Sequence, residues 1–165
     1  MLLTRMPPTE ELGRKVKLDE IKSPRVQEGH AYWLSKCNGR AYPSRADINP
    51  ADIKHLLPHV ILVHILGEHD YQYRIVGEAN VKAHGFNANN WRVSQLDSQV
   101  SGYTAMMTEL YAHMRKSGRP FAAKGSLVHI DRAFREYESI YMPLGPVGGP
   151  IDHLFAVCAY SEPVH

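Results

Sequence analysis

Apolar residues recur along this chain with two periods, and those periods divide it into helices and strands. Val26, His30, Trp33 and Cys37 follow one another at spacings of 4, 3 and 4, which predicts one helix over residues 25–38. Ser23-Pro24 supplies its N-cap and first-turn proline, and Gly39 ends it. Residues 60–66 form an apolar run suited to a strand buried on both faces. The turn "GEHD" leads into 71–76, where Tyr71, Tyr73 and Ile75 alternate with Gln72 and Arg74, so this pair reads as a hairpin. Residues 78–97, with Gly85, "NANN" and Trp91, predict short helical turns and loops. Val100, Tyr103, Met107, Leu110 and Met114 then fall on one stripe, a helix over 100–116 closed by Gly118. Strands are expected at 125–130, 137–144 and 153–160, joined by turns at "DRAF" and "GPVGGP". Short loops and this order point to an α+β domain, residues 25–162, with an antiparallel sheet, after a polar arm over 1–24.

The segment "RAYPSRADINPADIKHLLPHVILV", residues 40–63, sets rigid and charged positions directly before the first strand. Asn49 stands where an N-cap belongs, with Pro50 at the first helical position and Asp52 in the first turn. Ile53, Leu56 and Leu57 give that short helix an apolar side, and Pro58 is expected to stop it.

Composition narrows function by exclusion. A formal net charge of +2 over 165 residues argues for neither a nucleic-acid stripe nor an acidic partner. Cys37 and Cys158 are far apart and in no metal or redox spacing, so both read as buried thiols in a reducing compartment. No apolar run approaches membrane-spanning length, and the N-terminal apolar stretch is too short for a signal peptide. A cytoplasmic protein is expected.

Ten histidines invite a metal reading, but neither an H-E-x-x-H nor a His-x-His is present. His55, His59 and His64 are split by Pro58 between a helix and a strand. "GPVGGP" joins two strands and opens no helix, so it is a turn and not a phosphate cradle. No G-x-S-x-G elbow occurs, and no residue set argues for catalysis. What remains is a stock of adaptable side chains, Met106, Met107, Tyr111 and Met114 on the long helix with Tyr73, Phe86 and Trp91 elsewhere. They form either core packing or the lining of a small-molecule cavity.

The element order resembles a PAS domain, and local pieces sharpen the likeness. "YQYRIVGEA" is similar to a PAS second strand and its exit, and "KSGRPFAAKGSL" to the junction of the long helix with the third strand. "PSRADINPADIKHLLPHVILV" resembles the signature of bacterial single-domain PAS proteins, in which P-S-R-x-D-[IL]-[DN]-P precedes the first strand. "YESIYMPLG" and "GGPIDHLFAVCAY" resemble that family's last two strands. The resemblance implies a five-stranded antiparallel sheet of order 2-1-5-4-3 with helices on one face and an N-terminal helix. It also implies a sensory or protein-interaction role exercised through a homodimer, a small-molecule ligand or a partner protein. A cavity would be bounded by Tyr73, Ile75, Phe86, Trp91, Tyr103, Met107, Leu110 and Met114. The dimer would use Val26, His30, Trp33 and Cys37. Arg45 and Asp47, flanking Ala46 on an extended chain, would point the same way and anchor the N-terminal helix, with Pro50 as part of the same motif. Haem would call on His84 or His113, of which His113 points off the apolar stripe, and flavin photochemistry would want a cysteine that is absent after the second strand. The rival reading is a small-molecule enzyme using the same cavity.

Overall fold

In the computed structural model, which describes residues 14–85, 87–98, 103–128 and 134–161, helices cover both faces of one antiparallel sheet. The strands are β1 (Arg14–Val16), β2 (Val60–Gly67), β3 (Asp70–Val76), β4 (Phe121–Val128), β5 (Phe134–Leu144) and β6 (His153–Tyr160). They lie in the order β1-β4-β5-β6-β2-β3. Without β1 this is the expected 2-1-5-4-3 arrangement. The sheet nevertheless has six strands and not five, because part of the expected N-terminal arm pairs with the outer edge, Lys15 opposite Ala123. Three residues carry too short a pattern to announce a strand, but they cover an edge that would otherwise offer open backbone groups.

Helix α1 (Pro24–Cys37) begins as its sequence predicts, with Ser23 Oγ accepting from the Val26 N–H at 3.3 Å and Pro24 at the first position. It ends at Asn38 and Gly39, both in the left-handed region. The helix crosses the sheet face made by Leu62, Ile140, Met142, Phe155 and Val157, burying Val26 and Trp33 there. The opposite face, made by Val63, Tyr73, Ala123, Leu154, Ala156 and Cys158, receives α3 (Val93–Asp97) and α4 (Tyr103–Ser117). Helix α2 (Glu78–His84) lies between β3 and α3 in the chain. Adjacent residues of β6 therefore serve different layers, as a strand buried on both sides requires.

The connector between α1 and β2 is a chain of 3-10 turns at Arg45–Asp47, Pro50–Ile53 and Leu57–His59. Asn49 caps the second, its Oδ1 accepting from the Ala51 N–H at 3.1 Å, with Pro50 first in the turn. Pro58 does not end the segment as expected; it lies in the first positions of the next turn, where a missing N–H is harmless. The strand expected over 125–130 begins earlier, at Phe121. Residues 131–133 of the "DRAF" turn, Val100 and Phe86 lie outside the described residues, and Phe134 already belongs to β5.

Candidate functional site

Helix α4 lays its methionine stripe on the sheet as its period demands. Met106, Met107, Leu110, Tyr111 and Met114 are all buried, and they meet sheet positions held by small residues, Ala123, Ala156 and Cys158. Small side chains under large flexible ones set the helix–sheet spacing at this face. Tyr71 closes one end. Its hydroxyl donates to the Glu68 carbonyl at 2.6 Å and lies 3.2 Å from Thr108 Oγ1. Its ring meets Tyr111 edge-on at 6.1 Å, and Arg115 sits 4.9 Å over Tyr111 while reaching Glu68 at 3.2 Å. Burial raises the Tyr71 hydroxyl above its ordinary pKa, with the Thr108 hydrogen bond opposing.

Of the expected lining, Tyr73, Met107, Leu110 and Met114 come together here. Tyr103 opens α4, but its side chain lies outside the described residues, as does Phe86. Ile75 is a correction: it packs on the α1 face. Leu62 pairs with Ile75 but Val63 pairs with Tyr73, so Arg74 is an extra residue that flips the alternation. Trp91 is also displaced, 36% exposed. Its segment instead serves the sheet edge, with the Tyr73 N–H donating to the Trp91 carbonyl at 2.9 Å. Asn89 behaves like a further strand residue, accepting from the Val76 N–H at 2.8 Å and donating to the Val76 carbonyl at 3.0 Å.

A buried polar link that the sequence did not flag joins α2 to the sheet. Asn80 donates to the Val60 carbonyl at 3.0 Å and accepts from the Tyr160 hydroxyl at 2.6 Å. His84 lies edge-on to Tyr160 with its Nε2 3.5 Å from that hydroxyl. His113 packs edge-on against Phe121 at 5.1 Å, where burial and then Lys15 and Lys116 lower its pKa. Among the described residues no group of three His, Cys, Asp or Glu is placed to hold a metal ion. Burial pushes the Cys158 thiol up to about 12, which leaves it a packing group and not a nucleophile. His55 pairs with Glu28, and His59 Nδ1 meets the Cys158 carbonyl at 2.9 Å.

Of the residues expected at a dimer contact, Val26 and Trp33 pack on the chain's own sheet, while His30 and Cys37 are half-buried. Val26 and Trp33 are buried, and the Trp33 indole donates to the Pro143 carbonyl at 2.9 Å. Gly29 lets the helix approach so closely that an added Cβ would lie 2.5 Å from Val157. His30 stacks on Trp33 at 6.2 Å, and half-buried Cys37 places its Sγ 3.4 Å from the Trp33 carbonyl. Outward from this contact stands Leu34, 53% exposed, near Leu18, 42% exposed. Both line a groove with Lys15, Arg119 and Pro120.

The expected Arg45–Asp47 partnership is corrected too. A 3-10 turn, unlike an extended chain, sends residues two apart in different directions. Asp47 accepts from Arg40 Nη2 at 2.6 Å, the Ser44 N–H at 2.8 Å and Ser44 Oγ at 2.9 Å. Arg40 also bonds the Cys37 carbonyl at 3.3 Å. The connector is thus tied to the end of α1, but through Arg40; Arg45 turns to the Ile48 carbonyl at 3.1 Å. Tyr32 adds a second tie, donating to Asp52 at 3.0 Å. Glu138 makes a third at the helix start, accepting from the Ser23 N–H at 2.6 Å and pairing with Lys124 at 3.1 Å. Burial works to raise its carboxyl, but the Ser23, Lys124 and Lys22 donors outweigh it and hold the pKa low.

A single sheet with a long helix on one face and short helices at its side is what PAS sensors are built from. A family model for the PAS domain matches residues 21–144, and the chain belongs to that family. A solved structure described as an RNA-binding light-oxygen-voltage receptor aligns with a TM-score of 0.44 at 12% identity, covering 71% of this chain and 35% of that one. No curated protein matches.

Proposed function

We propose that this PAS domain is a sensory module that binds a small molecule between α4 and the sheet and passes the signal on through a second protein chain. The observation that carries the reading is the α4 face: three of the family-implied lining residues, Met107, Leu110 and Met114, share one buried cluster with a fourth, Tyr73 of the sheet, and with the small sheet residues Ala123, Ala156 and Cys158. Flexible thioethers over small residues are suited to opening around a ligand, since they repack at low cost. Cys158, held as a thiol, and the unpaired Cys37 support a reducing compartment. The "PSRADINP" segment supports placement with the bacterial single-domain PAS proteins that share it. The outer side of α1, where Leu34 is exposed beside Leu18, supports a homodimer contact, the inner side being occupied. Native mass spectrometry of freshly purified protein tests the reading. A retained small molecule, or exchange of an added one with loss on Met107 substitution, is expected; a protein that is always ligand-free and monomeric overturns it.

A further inference from the structure

The face of the sheet under α1 runs past the end of its apolar core into a basic hollow. On that face Leu62 pairs with Phe155, both buried. The next pair on the same face is His64 opposite His153. Their rings lie parallel, 4.6 Å between centroids and 14° between planes. Arg45 from the connector and Arg74, the bulge residue of β3, complete the walls, with Leu62 and Ile75 beside them. The hollow has a volume of about 530 Å³, within the usual small-molecule range of roughly 300–1,000 Å³.

Charge here is unbalanced. Among the described residues no carboxylate pairs with either arginine; Arg45 has the Ile48 carbonyl at 3.1 Å, and Arg74 has Gln72 Oε1 at 3.5 Å. The lining holds no acid, and Asp152, next to His153 in the chain, places its Oδ1 2.9 Å from His153 Nδ1. That bond occupies Nδ1 and leaves Nε2 for a ligand. Two guanidinium forks and an imidazole are brought to one hollow whose lining contains no anion.

We propose that this hollow binds a small molecule carrying a phosphate monoester. A phosphate offers three terminal oxygens to donors arriving from the connector, β3 and β6, whereas a carboxylate offers two. Leu62 and Ile75 give the organic portion an apolar wall. The site lies on the opposite face from the α4 layer, so it stands independently of the ligand proposed there. Burial, with His64 and Arg45 nearby, lowers the His153 pKa against the pull of Asp152. A bound phosphate reverses that balance, and His153 takes up a proton as the ligand arrives.

Phenyl phosphate is the probe, followed by imidazole NMR of the full chain, with inorganic phosphate and benzoate as separate arms. Phenyl phosphate is expected to shift the His64 and His153 ring signals and to raise the His153 titration midpoint. Inorganic phosphate competes with it, and benzoate binds at least about tenfold more weakly. Arg74 is exposed, so Arg74→Gln keeps the fold while weakening phenyl phosphate by about tenfold or more. Arg45→Gln should act likewise, with thermal unfolding measured because Arg45 also holds the connector. Unshifted histidine signals at millimolar phenyl phosphate, undiminished binding by Arg74→Gln, or benzoate binding as tightly would each overturn the proposal.

Discussion

Asp47 shows how one half-buried carboxylate can organise a connector. Its three donors hold its pKa at about 2, below the ordinary 3.8, with the Arg40 bond the largest cause. The unfolded chain protonates Asp47 near the ordinary value, so its contribution is full above about pH 4 and is lost as pH falls toward the folded pKa. Asp47→Asn should therefore unfold at a lower temperature than the parent at neutral pH. The gap should narrow between pH 4 and 2; a constant gap across that window would show that the charge is not what stabilises. Met107 makes the complementary case on the opposite face. Met107→Trp adds bulk to a buried position and should cost roughly 1–3 kcal/mol by overpacking. In a protein with a ligand space beside α4 the same change should displace ligand at smaller cost, which calorimetry and native mass spectrometry read together.

At the scale of elements, α1 is fixed to the sheet by an absence of side chain. Gly29 faces Val157, and a methyl group there would lie 2.5 Å from its Cγ2. An alanine ordinarily stabilises a helix interior by about 1 kcal/mol over glycine, but here the clash decides the sign. Gly29→Ala should destabilise by roughly 1–3 kcal/mol, and adding Val157→Ala should recover part of the loss in a double-mutant cycle. Much of this element was readable beforehand. Ser23-Pro24, Asn49-Pro50 and Gly39 carry their boundaries in local backbone chemistry, which needs no tertiary partner. The strand order came through the family likeness. The failures share a different cause. The three residues of β1 owe their strand to the edge of β4, and Ile75 changes face because of a bulge at Arg74. Trp33 proved an internal anchor because its indole found the Pro143 carbonyl. In each case a distant partner, invisible to local periodicity, decides. At the candidate site the α4 stripe was legible for the same reason that the helix was, while the Asn80–Tyr160 link needed residues 80 positions apart.

For the whole molecule, self-association must use what α1 leaves outside. Leu34→Glu should therefore shift the sedimentation profile toward monomer without lowering thermal stability, since Leu34 is exposed. A parent protein that sediments as a monomer at micromolar concentration, or a variant that changes nothing, would move the contact elsewhere. The double-sided burial of β6 has a mechanical meaning. Phe155 and Val157 touch the α1 layer while Leu154, Ala156 and Cys158 touch the α4 layer, so one strand thickness separates the two. A shift of the strand at one layer should therefore reach the other through a single thickness of backbone. Its amides, bonded on both sides to β5 and β2, should exchange with deuterium among the slowest in the chain. A molecule entering on either face should then be heard on the other as a change in the exchange rates of that strand's neighbours.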